Sequence, residues 1–411
     1  MHKQELLQTI ERDRHQLVHF FSEFIRAKSP NPPGDTRDAV RVIRAFLDER
    51  GAPYEVVAPQ EIMPNVLGTF ECGQPGRNLV LNGHIDVFPA EERGWSCDPW
   101  SGVIENGVIY GRGSTDMKAG TCASLFAYAY LYPIRAHLKG RLTLTAVSDE
   151  ETFGPWGTPY LLEHHEVTRG DCVLNGEPSD PSTIRFAEKG SVWLHFTVRT
   201  PGAHGAYTHK SASATKIACQ LISELEKVTH IQPTPPEEVA KVLSQVEEAT
   251  DRAQGIGAYI AVTNVTLNIG VIHGGLKVNM IPGTCSVEAD VRLPVGVEAE
   301  QIQEFVEGIL NKSPEITLES TEVHPPSHCD PNGEMVTIIQ ENVKMLRGFE
   351  PMPIVSLGGT DARLWRYIDI PAYVYGVSPS GMGSYDEHVV LDDFMHVVKT
   401  HAMSAYDYLS R

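Results

Sequence analysis

The sequence lacks any uninterrupted apolar run approaching the ~18 residues of a membrane span, so no transmembrane helix is expected. It also lacks an excess of basic residues: 34 Lys and Arg stand against 53 Asp and Glu, which gives a formal net charge of −19. Nucleic-acid binders normally present a basic face, and anionic membranes attract basic segments. The charge therefore argues against both nucleic acid and membrane as partners.

Cysteine is sparse and unpatterned. The seven cysteines form an odd number, and no two have the close spacing of a metal or redox motif. The N-terminal residues also lack the charged-then-apolar order of a secretory signal peptide. We therefore predict reduced thiols in a cytoplasmic protein.

What the chain has is length and apolar content. Its 411 residues predict two to three domains, and 41% apolar with 21% charged residues is typical of a globular protein. Residues 79–86 and 142–148 form short, largely apolar strands, and an Ala- and aromatic-rich helix lies between them around residues 125–131. This alternation predicts an α/β fold with a buried, mainly parallel central sheet.

The pattern changes after residue 188. Residues 192–199 and 285–293 alternate apolar and polar side chains, as half-exposed antiparallel strands do, and helices are expected at 211–228 and 236–250. Another alternating strand is expected at 261–271, and α/β character returns after Pro294 with a helix at 298–311. We therefore predict a discontinuous α/β domain, residues 1–187 and 295–411, interrupted by an α+β insert, residues 188–294.

Acidic residues and one histidine follow the strands of the α/β part. His84 ends one strand, Glu150 and Glu151 follow another, and Glu177 follows a third. Asp116 lies in a loop that enters a helix. These are the points at which an α/β sheet delivers side chains to its carboxyl edge, where ligands bind. Each carboxylate taken alone is better explained as a solvated surface charge.

Carboxylates and an imidazole at one edge suit Zn²⁺, Mn²⁺ or Co²⁺. Asp86 is spaced to accept the second ring N–H of His84, as partners of metal-bound histidines do. Glu150 and Glu151 are adjacent, so the simpler assignment makes one a metal ligand and the other a general base. Spacing alone therefore predicts a metallohydrolase among other possibilities.

Taken together, these segments resemble a known family. The series LNGHIDV (81–87), GRGSTDMKAG (111–120), SDEE (148–151) and NGEP (175–178) is similar to the M20 metallopeptidases, in particular to their acetylornithine deacetylase and succinyl-diaminopimelate desuccinylase branch. The resemblance covers nearly the whole chain. It implies a catalytic domain that holds divalent metal, Zn²⁺ first and Co²⁺ or Mn²⁺ as alternatives, and an inserted lid or dimerisation domain.

The resemblance also implies a role for each residue. His84 and Glu177 are expected as ligands of one metal ion, Glu151 as a ligand of a second, and Asp116 as the bridge, followed by a cis peptide bond. Asp86 is expected to orient His84, and Glu150 to act as general base. Gly359 and Thr360, in a glycine-rich loop, are expected to line the substrate end of the pocket.

The insert carries further matches. His204 resembles the histidine that reaches the active site of a neighbouring subunit, which implies a homodimer. Asn279 and Arg292 resemble residues that hold substrate oxygens, and a guanidinium suits a substrate carboxylate. The alternatives stay open: a plain loop histidine for His204 and a surface ion pair for Arg292.

One departure concerns the last metal ligand. Aligning Asp386 and Glu387 with the family pair places Gly383, not a histidine, at the ligand position. His388 lies five residues later. It is assigned here as a metal ligand, with a supporting or surface role and no metal role as the alternatives.

The predicted activity is metal-dependent hydrolysis of the amide bond of an N-acylated amino acid or similar small amide that bears a carboxylate. Metal-activated water is the nucleophile, and glutamate is the general base. The alternative is a one-metal relative that cleaves a different C–N bond, such as a formyl or aryl amine, because Gly383 replaces the usual ligand. A catalytically degenerate binding protein is the remaining alternative.

Overall fold

A computed structural model describes residues 2–91 and 93–411. The helices are α1 His2–Arg12, α2 Arg14–Arg26, α3 Arg37–Arg50, α4 Ala119–Leu131, α5 Thr158–His164, α6 Ala214–Leu225, α7 Glu237–Leu243, α8 Glu247–Gln254, α9 Ala258–Thr263, α10 Ala299–Leu310, α11 Glu334–Arg347, α12 Ala362–Arg366 and α13 Leu391–Ser410. The strands are β1 Glu55–Val57, β2 Asn65–Glu71, β3 Gln74–His84, β4 Ile104–Glu105, β5 Val108–Tyr110, β6 Lys139–Val147, β7 Cys172–Asn175, β8 Thr183–Glu188, β9 Gly190–Arg199, β10 Ala203–His204, β11 Thr266–Gly274, β12 Met280–Ile281, β13 Thr284–Leu293, β14 Ile316–His324, β15 Ser327–His328, β16 Met352–Ser356, β17 Ala372–Val374 and β18 His388–Val390.

The larger sheet confirms the predicted α/β class. Its strand order is β1-β2-β6-β3-β7-β17-β8-β15, and β16 also pairs with β8. The central strands β6, β3, β7 and β17 run parallel, whereas β1 with β2, β2 with β6, and β15 with β8 pair antiparallel. Parallel strands in register end at one edge, which brings the segments after β3, β6 and β7 together.

Helix α4 explains why that edge is well ordered. Every one of its residues is buried, which suits a helix that is apolar on all sides. It packs between α13 and the strands β3 and β6. Gly120 on α4 approaches Gly176 so closely that a Cβ would lie 1.7 Å from the Gly176 carbonyl oxygen. The glycine therefore lets the helix lie directly against the loop that carries Glu177.

The smaller sheet is antiparallel in the order β11-β13-β9-β14. Burial alternates along β13, as predicted for a sheet with one solvent-facing side. Helices α6 and α10 pack on the other side, and a second apolar core forms there around Phe196, Leu221, Val287 and Ile302.

The smaller domain extends beyond residue 294, the predicted C-terminal boundary of the insert. Strand β14, which the sequence reading did not anticipate, pairs with β9 from residue 316 to residue 324, and α10 contributes to the second core. β14 carries few apolar residues because much of it is exposed, so its sequence gave little strand signal. Residues 295–324 therefore belong with the smaller sheet and not with the α/β part.

The segment between α6 and β11 differs in the opposite sense. We call residues 237–263, which contain α7, α8 and α9, the helical arm. The arm lies inside the insert in sequence, yet its buried residues Val239, Val242, Ala249 and Val262 belong to the core of the larger domain. The single helix predicted at 236–250 is two helices, and residues 261–263, the start of the strand expected at 261–271, belong to helix α9. Similarly, the N-terminal helical stretch is divided between α1 and α2 at Asp13.

Two further observations bear on the sequence predictions. No helix in residues 2–91 and 93–411 is long and apolar enough to cross a membrane. All seven cysteines lie in the described ranges and are unpaired.

Candidate metal centre and active site

The predicted acidic cluster assembles at the carboxyl edge of the parallel strands. His84 is the last residue of β3, Glu177 follows β7 by two residues, and Glu150 follows β6 by three. Asp116 enters from the Ser114–Lys118 turn that leads into α4. Four separate segments thus converge on one point, although they are up to 93 residues apart in sequence.

His84 is at the centre of this cluster. Its Nε2 lies 3.1 Å from Asp116 Oδ1, 3.3 Å from Glu177 Oε1 and 3.8 Å from Glu150 Oε2. Within residues 2–91 and 93–411, His84, Asp116 and Glu177 are the one group of at least three His, Cys, Asp or Glu donors whose atoms all lie within 4.8 Å of one another. This is the donor set predicted for one ion, together with the predicted bridging carboxylate.

Crowding and burial shift the protonation of the cluster. Burial lowers the pKa of His84, but the carboxylates of Glu177, Asp116 and Glu150 outweigh it, so the pKa is raised well above the ordinary value. Burial raises the pKa of Glu150, and burial with the nearby Asp116 charge raises that of Glu177 to about 7. So many anions in one buried place favour a cation among them.

Two carboxylate oxygens support the same conclusion. Glu150 Oε1 and Glu151 Oε1 are buried and have no hydrogen-bond partner among the described residues. Buried polar atoms are normally paired, so unpaired acceptors beside a three-donor cluster are expected where an ion or a substrate binds. The oxygen and nitrogen donors present fit Zn²⁺, Mn²⁺ or Co²⁺.

Asp86 acts differently from the sequence prediction. The group that contacts His84 Nδ1 at 2.8 Å is the backbone carbonyl of Asp86, whereas its carboxylate lies 3.6 Å away. The carboxylate instead accepts hydrogen bonds from Asn31 Nδ2 and from the backbone N–H groups of Glu150 and Glu151. Asp86 therefore orients the imidazole through its carbonyl and fixes the turn that carries both glutamates.

The segment around Asp116 is held by a residue that sequence reasoning did not assign to the site. The Asp116–Met117 peptide bond is cis, as the resemblance implies. Glu387, which is fully buried, accepts the N–H groups of Thr115 at 2.8 Å and Asp116 at 3.2 Å, and its other oxygen accepts a bond from Arg112. The signal was available, because Glu387 belongs to the C-terminal pair that was used in the alignment.

His388 is not brought into the donor group. Its Nδ1 lies 2.8 Å from the carbonyl of Asp386, and its backbone forms strand β18 beside Tyr110. Gly383, at the aligned ligand position, has a φ of +70° and bonds Arg112 through its carbonyl. The described residues thus gather one set of three donors, while Glu151 stands at the cavity wall beside it.

A cavity of about 740 Å³ opens over the cluster, in the size range of small-molecule sites. Gly359 and Thr360 line it, as predicted, and both the N–H and the hydroxyl of Thr360 bond the buried Glu188. Arg292 lines it from the insert and also bonds Asp290 at 2.9 Å. The ion pair considered for Arg292 is thus present, and the same side chain faces the cavity; substrate binding by it stays a prediction.

His204 and Asn279 lie elsewhere. Both are exposed, and neither lines the cavity. They lie beside each other, because β10 pairs with β12 and the Asn279 carbonyl accepts the N–H of Gly205 at 2.8 Å. His204 and Asn279 are therefore neighbours, but neither contributes to the cavity of its own chain.

Three cationic residues near the site were not predicted. Arg185 is buried at the cavity wall, with an Nε that has no partner among the described residues. Arg363 stacks on Phe153 at 4.3 Å and has its Nη1 3.8 Å from Glu150 Oε1. Arg252 reaches the cavity from the helical arm. No local motif marks these arginines, since tertiary packing alone brings them to the site.

Comparison with known proteins agrees with this geometry. The model of peptidase family M20/M25/M40 matches residues 80–407. A succinyl-diaminopimelate desuccinylase of Wolinella succinogenes is 28% identical over 330 residues, which is 78% of this chain and 82% of that protein. Aminoacylase-1 of Sus scrofa is 28% identical over 385 residues, 89% of this chain and 87% of that protein.

Solved structures show the same fold. The M20 family metallo-carboxypeptidase Sso-CP2 of Sulfolobus solfataricus superimposes with a TM-score of 0.81 at 20% identity, covering 95% of this chain and 99% of that one. The di-peptidase Dug1p of Saccharomyces cerevisiae gives a TM-score of 0.77 at 16% identity, covering 100% and 99%. At these identities the likeness concerns the fold.

Proposed function

The chain belongs to peptidase family M20/M25/M40, and on that premise we propose that it is a metal-dependent amidohydrolase that releases the amine from an N-acylated amino acid. The observation that carries the proposal is the convergence of His84, Asp116 and Glu177 beside Glu150, whose Oε1 is buried and has no hydrogen-bond partner among the described residues. The named activities of the desuccinylase and aminoacylase relatives support the amide bond as the target.

His84, Asp116 and Glu177 would hold one divalent ion, with Zn²⁺ our first choice. Glu151 stands beside them at the cavity wall and would complete a second position together with Asp116. A bound divalent ion polarises a carbonyl and lowers the pKa of water, which is the chemistry that amide hydrolysis requires.

The protein's own groups supply the rest. Glu150 accepts a proton from the attacking water and passes it to the departing amine, because it is near the donor group yet lies outside it. Arg292 binds the carboxylate of the substrate, since its guanidinium lines the cavity. The hydrogen bonds from the backbone N–H groups of Glu150 and Glu151 to Asp86 hold in place the turn that carries the base.

We also propose that the chain is a homodimer through the insert. Strand β11 is an open edge of the smaller sheet. Large apolar side chains on and after it are exposed, among them Ile272 at 51%, Leu276 at 90% and Val278 at 101%. A second copy that covers this surface would bury it and could bring His204 and Asn279 to the partner's cavity.

The activity is tested with metal-reconstituted protein and a panel of N-acetyl, N-succinyl and N-formyl amino acids, scored for amine release. Hydrolysis of at least one acetyl or succinyl amino acid is expected. Exclusive cleavage of the N-formyl amino acids would favour the one-metal alternative, and no hydrolysis of any panel member would contradict the proposal. Sedimentation tests the dimer, and subcellular fractionation tests the predicted cytoplasmic location.

A further inference from the structure

The helical arm is the part of the insert that belongs structurally to the other domain. It is encoded between α6 and β11, but it packs against strand β16 of the larger sheet. Its second helix, α8, ends at the mouth of the cavity, where Arg252, Ala253, Gln254 and Gly255 all line the wall. An element of the insert thus forms part of the substrate cavity on the side of the glycine-rich loop.

The backbone of the arm is fixed at this place. The side-chain amide of Gln254 donates to the carbonyl of Val355 at 2.8 Å, and its oxygen accepts the N–H of Leu357 at 3.0 Å. Lys189 Nζ donates to the carbonyl of Asn264 at 2.7 Å, just beyond the end of the arm. The arm is therefore tied to the glycine-rich loop at one point and to the domain junction at another.

The turn after α8 is fixed as well. The carboxylate of Asp251 accepts the N–H groups of Gly257 at 3.1 Å and Tyr259 at 2.8 Å. Arg252 lies between Asp251 and the Gln254 clamp, so its Cα has little freedom even though its side chain is 56% exposed. A side chain on such a fixed backbone position is well placed for a specific contact.

Among residues 2–91 and 93–411, Arg252 forms one ion pair, and that pair is weak. Its charged neighbour is Glu248, whose Oε1 lies 3.7 Å from Arg252 Nη1 and whose side chain is 95% exposed. Such a pair contributes little, because solvent screens it. Arg292 in the same cavity differs, since Asp290 binds it at 2.9 Å. The guanidinium of Arg252 is thus available to an anionic ligand that enters the cavity.

We propose that Arg252 is a specificity-determining residue that binds a second carboxylate of the substrate, at a distance from the carboxylate held by Arg292. The inference rests on the proposed amidohydrolase function and deepens it: the preferred substrate is an N-acyl amino acid with two carboxylates. A guanidinium binds both oxygens of a carboxylate at once, which gives a charge-assisted contact that a neutral substrate lacks.

The test uses two matched substrate pairs. N-succinyl and N-butanoyl derivatives of one amino acid differ in a carboxylate on the acyl side, and N-acetylglutamate and N-acetylglutamine differ in one on the amine side. For each, kcat/KM is measured with the unmodified protein and with Arg252→Gln, Arg252→Lys and Lys241→Gln. Lys241 is the matched control, because it is an exposed cation on the same arm and does not line the cavity.

Arg252→Gln is expected to lower kcat/KM for the dicarboxylate of one pair by about 10- to 100-fold, while its neutral partner changes by less than about two-fold. Arg252→Lys should recover part of the loss, and Lys241→Gln should change neither substrate. Equal losses on both members of each pair, or no loss on either dicarboxylate, would overturn the proposal.

The same substrates are titrated by calorimetry into Glu150→Gln, with and without Arg252→Gln. Weaker binding of one dicarboxylate, but not of its neutral partner, in the double variant supports the proposal. An affinity for both dicarboxylates that Arg252→Gln leaves unchanged overturns it. If the amides bind but the unmodified protein hydrolyses none of them, the proposed function fails while the assignment of Arg252 stands.

Discussion

The larger domain and the insert present their predicted site residues in different ways. In the larger domain, the ends of parallel strands place one carboxylate oxygen of Glu150 and one of Glu177 within 4 Å of His84 Nε2. In the insert, His204 lies on a two-stranded ladder and Asn279 immediately precedes its second strand; both are exposed and neither lines the cavity. The larger domain thus gathers three donors within one chain, whereas the described part of the insert does not bring His204 or Asn279 to the cavity of the same chain.

The largest effect should come from removing His84, the residue at the centre of the donor group. His84→Ala removes the donor that contacts all three carboxylates, so metal content and turnover should fall together, turnover by at least about 10³-fold. Elemental analysis and amine release measure the two quantities. Full metal content in this variant would mean that the ion is held somewhere else.

The next largest effect should come from removing His204 in the insert. His204→Ala should lower kcat by about 10²- to 10³-fold, because it removes the group expected to stabilise the developing oxyanion. Metal content should stay unchanged, since His204 lies outside the donor group.

Mixing turns this prediction into a test of subunit sharing. His204→Ala and Glu150→Gln chains, unfolded and refolded together, should regain roughly a quarter of the original activity, because random pairing gives half hybrid dimers with one intact site each. No recovery in the mixture, with each parent dimeric by sedimentation, would show that His204 does not act across the dimer.

A smaller effect is expected from pH. In the metal-free protein, burial and the Asp116 charge raise the pKa of Glu177 to about 7 from 4.5, so between pH 4.5 and 7 the folded chain keeps a proton that the unfolded chain releases. The contribution of Glu177 to stability is therefore lost as pH rises through this window.

Zn²⁺ needs the deprotonated carboxylate, so it should raise Tm more at pH 7.5 than at pH 5.5. Calorimetry measures both increments, and Glu177→Gln should reduce the difference between them. Equal increments in the unmodified protein would contradict this view of Glu177.

The smallest effect should come from changing the carboxylate of Asp86, which holds the turn that carries Glu150 and Glu151. Asp86→Asn should lower kcat by about 10- to 100-fold with metal retained, because an amide side chain replaces the acceptor of three hydrogen bonds that position Glu150 and Glu151. The carbonyl contact to His84 would remain, so metal content is the informative control. Loss of the ion in this variant would mean that the Asp86 carboxylate, and not its carbonyl, orients the ligand.

The same contrast explains what the sequence could predict. The residues after β3, β6 and β7 were predictable, because apolar strands and the motifs that follow them are local signals and parallel strands share one edge. Strand β14 was not predictable, because a largely exposed strand lacks an apolar pattern. The packing of the helical arm was not predictable either, because its buried residues join the core of the larger domain although the arm lies within the insert in sequence.

The roles of single side chains show a finer limit. Spacing placed Asp86 next to His84, but which of its oxygens faces the ring depends on where the Glu150 turn lies. Arg185 and Arg252 reach the cavity, and Arg363 reaches Glu150, through packing alone, so no local pattern could identify them.

The central claim is that Glu150 is the base of a metal centre built by its neighbours, and Glu150→Gln tests it most directly. We expect the variant to bind as much metal as the unmodified protein and to release amine about 10²- to 10⁴-fold more slowly. Unchanged amine release at unchanged metal content would contradict the assignment of the base. Loss of the metal would show that Glu150 is a ligand instead.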